Sequence, residues 1–350
     1  MREASNPSSQ GLLKGAIIGL GRMGLTHLSI LNSHPSVSKL SVVESSVCFG
    51  KAIEKNLGIV YYPTLEELFR SDIPDFLVVA TPSSSHAAIA KSAIEKGIHT
   101  FIEKPLTLSA HESATLVQLA ASRQVVAQVG YVNRFNEIFQ AVQLLLQSGE
   151  LGAPTHVHCE IRSPMVTKTT GNSWRSQQRE GGGCLSDIAT HGIDLLNFMV
   201  GPPKSVIGAS LQSLVSASVD DRVDVLFGYE GFTGSLHVNW SDPSCRKPSY
   251  RLSIEAQKGR IIADHHSYKL FKSTPAGRGD SAAWSTVYIT DIAQPVRMYV
   301  RGNEFTRQLD YFIDNILSGT TENVSGLESG MEVDQVIEHI RAAGHEVRTV

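Results

Sequence analysis

Basic clusters, long apolar runs and closely spaced cysteines are all missing from this chain. Without blocks of Lys and Arg, and with a net charge of −3, nucleic acid is excluded as the main partner, because phosphate binding draws on clustered cations. No apolar run approaches the roughly 18 residues a membrane helix needs, so no membrane partner is expected. Cys48, Cys159, Cys184 and Cys245 lie too far apart for a metal knuckle. They read as small buried residues of a reduced, cytoplasmic protein, and no metal site is expected. The opening "MREASNPSSQGLLKG" is polar, without an apolar signal core, and reads as a disordered lead over residues 1–13.

What is present fits a folded protein of about two domains: 350 residues, 41% hydrophobic and 19% charged. The first third alternates strand-like and helix-like segments. "GAIIGL" (15–20), "KLSVVE" (39–44), "DFLVVAT" (75–81), "HTFIEKP" and "VVAQVGY" are strand-like. Helical spacing fills the gaps, with Thr64 and Glu67 as a capping box and Gly97 as a helix stop. Such alternation implies a parallel sheet covered on both faces. After about residue 150 the rhythm changes to strands a short turn apart, from "PTHVHCEIRS" to "GRIIADHH". Helices at 303–318 and 327–343 close the chain, and 273–283 reads as a mobile loop.

"GLGRMG" matches G-x-G-x-x-G between a strand and a helix, the context that gives the pattern meaning. Gly19 permits a tight turn, Gly21 leaves room for a pyrophosphate, and Gly24 lets the helix approach the strand. Arg22 and Met23 open that helix, whose free N–H groups would face phosphates. Glu44 ends the second strand, where its carboxylate would take the adenosine-ribose hydroxyls and repel a 2′-phosphate. NAD is therefore expected, with NADP disfavoured. The fold class is α/β: a Rossmann dinucleotide-binding domain over 14–131, then an α+β domain over 132–350 with an open, mostly antiparallel sheet. His27 reads as a core histidine.

Ligands of open parallel sheets bind beyond the carboxyl ends of the strands. That places Thr81, Pro82, His86, Glu103 and Lys104 on the cofactor side. From spacing alone, Glu103 and Lys104 could equally form a solvated charged turn. "GGGCLSDIATHGIDLL" raises a separate question, because a regular helix would put Asp187, His191 and Asp194 on one face. An acid favoured by the helix dipole beside a core imidazole is the alternative.

These motifs, with "ATPSSSH", "EKPL" and "GYVNRFN", resemble the glucose–fructose oxidoreductase / inositol dehydrogenase / rhizopine-catabolism (Gfo/Idh/MocA) dehydrogenases, from about residue 13 onward. The resemblance implies a nicotinamide cofactor and a sugar, sugar-nucleotide or cyclitol substrate. It also implies a catalytic set at Lys104, Asp187 and His191. An imidazole with an intrinsic pKa of about 6.5 suits general base work, Lys104 would stabilise developing alkoxide charge, and Asp187 would orient the substrate. Lys and His exchange roles within the family, so the proton acceptor stays open. Asn133 is expected near nicotinamide or substrate, Arg134 at the domain junction, and Arg162 and Ser163 near the cleft. Trp174 would stack on a sugar, and Arg175 or Arg179 would meet an anion. Asp194 would be structural, holding the helix or the His191 ring. Ala189 stands where many relatives have Gly, which adds a methyl near the pocket, and Ile161 stands where cyclitol-specific relatives carry a polar residue, which weakens an inositol assignment. The family also holds NAD-dependent glycosidases and non-enzymatic dinucleotide-binding regulators, which remain alternatives; the regulators tend to lose the Lys or His kept here. A homodimer or homotetramer is expected by analogy.

Overall fold

The computed structural model describes residues 11–168, 173–273 and 283–348. Residues 1–10 of the expected lead and 274–282 of the expected mobile loop lie outside them. Leu13 is already strand, paired with Val37.

The first layer is a six-stranded parallel sheet in the order β3-β2-β1-β4-β5-β6. Its members are β1 (Leu13–Ile18), β2 (Val37–Val43), β3 (Val60–Tyr62), β4 (Phe76–Val79), β5 (His99–Ile102) and β6 (Ala127–Val129). Helices α1 (Arg22–Leu31), α2 (Val47–Leu57), α3 (Leu65–Ser71), α4 (His86–Glu95) and α5 (Ala110–Arg123) connect them. Strands of this sheet are apolar at consecutive positions because both faces are covered; all of β4 is buried. The strand order reverses between β1 and β4, which opens a crevice at their carboxyl ends. Locally, Thr64 Oγ1 accepts from Glu67 N–H (3.2 Å) and starts α3, and Gly97 stands at φ +76° just past α4.

Helix α6 (Glu137–Gln147), unforeseen in the sequence reading, leads into the second layer. There β7 (Pro154–Arg162) precedes a π-helical turn at Leu185–Ala189 and α7 (Thr190–Val200). Strands β8 (Ser205–Ser213), β9 (Arg222–Gly228), β10 (Thr233–Asn239), β11 (Ser249–Ala256), β12 (Gly259–Ala263), β13 (Ser267–Lys272) and β14 (Trp284–Tyr288) follow. The chain closes with α8 (Ile289–Ile292), α9 (Asn303–Ser318), α10 (Leu327–Ala343) and β15 (Gly344–Arg348). The nine-stranded sheet runs β14-β13-β12-β11-β7-β10-β9-β8-β15, antiparallel except at β10–β7 and β15–β8. Here strands alternate: Val157, Cys159 and Ile161 face α7, while His158, Glu160 and Arg162 face the open side. Cys159 and Cys184 are buried, Cys48 exposed.

The last helices cross back. Leu309, Phe312 and Ile313 of α9 share a core with Ile17, Phe76 and Phe101 of the first sheet. Phe312 meets the Phe76 and Phe101 rings edge-on at 6.0 and 5.8 Å. Helix α9, late in the chain, therefore packs on the first sheet. Helix α10 packs between α5 and α7, one on each side of the cleft. No helix among the described residues is long and apolar enough to cross a membrane.

Candidate active site

The crevice is framed by the loop after β1. Gly19 adopts φ +87°, a conformation open mainly to glycine. A Cβ on Gly24 would collide with the Gly19 carbonyl oxygen, so glycine there lets α1 abut the strand end. A Cβ on Gly21 would meet nothing within 4 Å, and this is the open space a pyrophosphate needs. Arg22 is exposed at the helix start and Met23 half-buried. Glu44 turns back onto this loop: Oε2 accepts from Leu20 N–H and Oε1 from Ser46 N–H, each at 2.9 Å. Carboxylate oxygens have two acceptor sites each, so capacity for ribose hydroxyls remains. Thr81 approaches Gly19 from the end of β4, beside exposed Pro82. These residues fit a dinucleotide.

Two residues expected on the cofactor are occupied otherwise. The buried His86 ring sits between the carbonyls of Pro105 (Nδ1, 2.9 Å) and Thr81 (Nε2, 3.0 Å), so it ties together the loops after β4 and β5. Burial holds its pKa below the usual range. Glu103 Oε1 lies 2.7 Å from His27 Nε2, so the core histidine is partnered from inside rather than turned to a ligand. Arg301, unforeseen in sequence, lies close enough to Arg22 and Glu103 to feel both charges; its pKa is lowered by burial, then by Arg22.

Lys104 leaves the end of β5 and reaches the second domain. Its Nζ donates to Oδ1 of Asp187 (2.7 Å) and to the Asp187 carbonyl (2.6 Å). Arg175 Nε donates to Oδ2 (3.0 Å), so one carboxylate is held between two cations. Burial alone would raise the Asp187 carboxyl, but Lys104 and Arg175 together hold it below its usual range. The regular helix expected here is interrupted: Asp187 sits in the π turn and His191 in the first turn of α7. Because a π turn replaces i→i+4 bonding by i→i+5, four-residue stacking does not carry across the junction. His191 is still close enough to feel both Lys104 and Asp187. Burial first, then Lys104, lowers its pKa well below 6.5, and the imidazole is neutral. Its Nδ1 is buried with no partner among the described residues.

Three glycines answer the question posed by their run. Gly181 backs onto Ser83, a Cβ on Gly182 would strike the Arg175 and Trp174 carbonyls, and Gly183 faces Asp220. They let residues 173–183 fold tightly over the cleft. Ser84 Oγ donates to Glu180 Oε2 (2.6 Å) and fastens this segment to the first domain.

Other expected residues divide. Asn133 is buried, its Oδ1 3.0 Å from His265 Nε2 and its side chain hydrogen-bonded to the Tyr250 phenol. His265 was not foreseen; it lies close enough to His191 for the two rings to interact, and burial drives its own pKa to about 4. Trp174 carries the Arg175 guanidinium 4.4 Å over its ring. Arg179 is 83% exposed beside Glu180 and points away. Arg162 is a correction: strand alternation turns it to the open sheet face, where Glu160 (3.2 Å) and Asp242 (3.1 Å) pair it, far from the facing side of Ile161. Ser163 is buried. Asp194 holds Arg134 rather than His191: Nε and Nη2 of Arg134 meet Oδ1 at 2.8 and 2.7 Å, and Nη1 donates to Val324 O. Burial pushes Asp194 up to about 6 against the pull of Arg134. No acidic, histidine and cysteine cluster suited to a metal occurs among the described residues.

Comparison with known proteins decides the lineage. Residues 13–131 match the oxidoreductase family with an NAD-binding Rossmann fold, and residues 139–262 match the GFO/IDH/MocA C-terminal domain. The chain belongs to the Gfo/Idh/MocA oxidoreductases. Within this family it is 24% identical over 244 residues to UDP-N-acetylglucosamine 3-dehydrogenase of Acidithiobacillus ferrooxidans, spanning 69% of this chain and 71% of that one. It is 29% identical over 213 residues to an uncharacterized oxidoreductase of Synechocystis sp., where the match spans 60% of this chain and 56% of the relative. The fold of levoglucosan dehydrogenase in complex with NADH and L-sorbose superposes with a TM-score of 0.84 at 20% identity, covering 95% of this chain and 96% of that one. Its first domain carries the family's NAD-binding Rossmann fold, and the chain spans less than two thirds of the length of several curated relatives it matches.

Proposed function

We propose that this protein transfers a hydride between a secondary alcohol of a sugar, sugar nucleotide or cyclitol and NAD, with Lys104, Asp187 and His191 as the catalytic set. The observation that carries the reading is the meeting of Lys104 Nζ with Asp187 Oδ1 at 2.7 Å, beside a neutral imidazole and at the carboxyl end of β5, two strands from the glycine loop. The nicotinamide, when bound, supplies the hydride acceptor or donor.

Gly19, Gly21 and the start of α1 would hold the pyrophosphate, and Glu44 the adenosine ribose. In alcohol oxidation the substrate O–H proton passes to the neutral His191 ring as the carbinol C–H bond breaks. Lys104 has three donors. Two are directed at Asp187, and the third is available to the same substrate oxygen, where a cation stabilises developing negative charge. Asp187, kept ionised by its two cations, accepts from a neighbouring hydroxyl and fixes the ring. In ketone reduction the proton returns by the same route. The nucleotide-sugar relative and the arginine on the segment over the cleft favour a polyol ring with an anionic substituent within this class.

The test is reduction of NAD by a panel of sugars, nucleotide sugars and cyclitols, followed by the absorbance of reduced nicotinamide. Against the best substrate, Lys104→Met is expected to lower kcat/KM by about 10²–10⁴-fold while NAD affinity persists. Glycoside cleavage without net reduction, or a Lys104→Met variant at the parent rate, overturns the reading.

A further inference from the structure

Lys104 and Asp187 belong to different layers, yet they meet in hydrogen-bond register. Something must set that gap. Helix α10 touches both sides of it. On one side, Asp334 Oδ2 accepts from the N–H of Thr107 (3.1 Å), three residues beyond Lys104, and from Ser113 Oγ (2.6 Å) in α5. Gly330, one turn earlier, brings the helix directly against Leu106. Glu338 Oε1 accepts from Ala110 N–H (2.8 Å) at the start of α5. On the other side, Arg341 Nη2 donates to Ser186 Oγ (2.7 Å), the residue before Asp187.

Asp334, Glu338 and Arg341 recur at i, i+4 and i+7, so one face of one rigid helix addresses both catalytic loops. Packing between these side chains is incomplete. A cavity of about 10 Å³, the size of a single water sphere, lies among Pro105, Thr107, Ser186, Asp334 and Arg341. Side chains that line a void have fewer contacts to hold their separation, which gives the hydrogen bonds a larger share in doing so. Asp334 Oδ1 is buried without a partner among the described residues.

We propose that Asp334 and Arg341 are positioning residues, and that α10 acts as a brace holding the Lys104 loop and the Asp187 turn at ion-pair distance. The catalytic meaning of the brace rests on the function proposed above; its geometric meaning does not.

The experiment therefore reads Lys104 directly, on the full chain. Trace acylation with acetic anhydride, scored by mass spectrometry, labels an amine that the reagent can reach, so a lysine freed from its buried hydrogen bonds is labelled faster. Lys39, paired with Asp72 at 2.9 Å in the first domain, serves as an internal reference. Asp334→Leu and Arg341→Met are expected to raise Lys104 labelling several-fold with Lys39 unchanged. Asp334→Asn and Arg341→Lys keep a hydrogen-bonding group and should restore the parent rate, which a merely structural role would not arrange. Turnover should fall by about 10–100-fold in kcat in the first two variants, with NAD affinity retained. Should Asp334→Leu fail to fold, Arg341→Met, at the half-exposed end of the helix, carries the test. Parent-level Lys104 labelling in folded Arg341→Met overturns the brace. A Lys104→Met variant that keeps full turnover defeats the catalytic reading instead and leaves the labelling result standing.

Discussion

Asp187 receives Lys104 on Oδ1 and on its own main-chain carbonyl, so the ion pair fixes both the side chain and the π turn that presents it. Replacing the carboxylate leaves the Lys104 and Arg175 cations facing a neutral amide in a largely buried site. Asp187→Asn is expected to lower stability by about 2–4 kcal/mol, below the full range for a buried pair because Arg175 is 37% exposed. Urea denaturation of the two proteins checks this. Equal midpoints would show that the pair contributes nothing to the fold.

The pH dependence follows from the neutral imidazole. His191 has a folded-state pKa well below its unfolded value of 6.5. It stays deprotonated, and competent to accept a proton, as pH falls through 6.5. The acid limb of kcat/KM for alcohol oxidation should therefore lie below pH 6.5 and be displaced in His191→Asn. A limb at or above 6.5 that His191→Asn leaves in place would assign the proton acceptor elsewhere. Stability follows the same sign: the contribution of neutral His191 is complete above 6.5 and lost as pH falls through its lowered value.

Much of this was legible from local pattern. The glycine loop, the parallel sheet and the two closing helices all announce themselves through short-range periodicity. Arg162 shows a signal that was there and passed over, since apolar Val157, Cys159 and Ile161 already assign the even positions of β7 to the opposite face. The π turn has no such signal, because Leu185–Ala189 is composed like an ordinary helix start. His265 and Arg301 approach the site from far along the chain, through sheet register and the return of α9, and no local spacing encodes that. The core role of Phe312 was hidden for the same reason.

The two outer roles of the glycine loop separate by substitution. Gly24→Ala puts a methyl group on the Gly19 carbonyl, and is expected to destabilise the fold by about 1–3 kcal/mol. Gly21→Ala meets no protein atom within 4 Å, so the melting temperature should hold while NAD affinity falls about tenfold or more. Thermal melts with and without NAD distinguish them. Unchanged NAD affinity in folded Gly21→Ala would move the pyrophosphate away from this loop.

The central claim is that Lys104 and His191 act on one substrate oxygen, and the most direct measurement is a double-mutant cycle on kcat/KM with Lys104→Met and His191→Asn. Groups that serve a single transition state are strongly non-additive. The double variant is therefore predicted to be little slower than the slower single variant. Losses that multiply, or a double variant that matches the parent protein, would contradict the account.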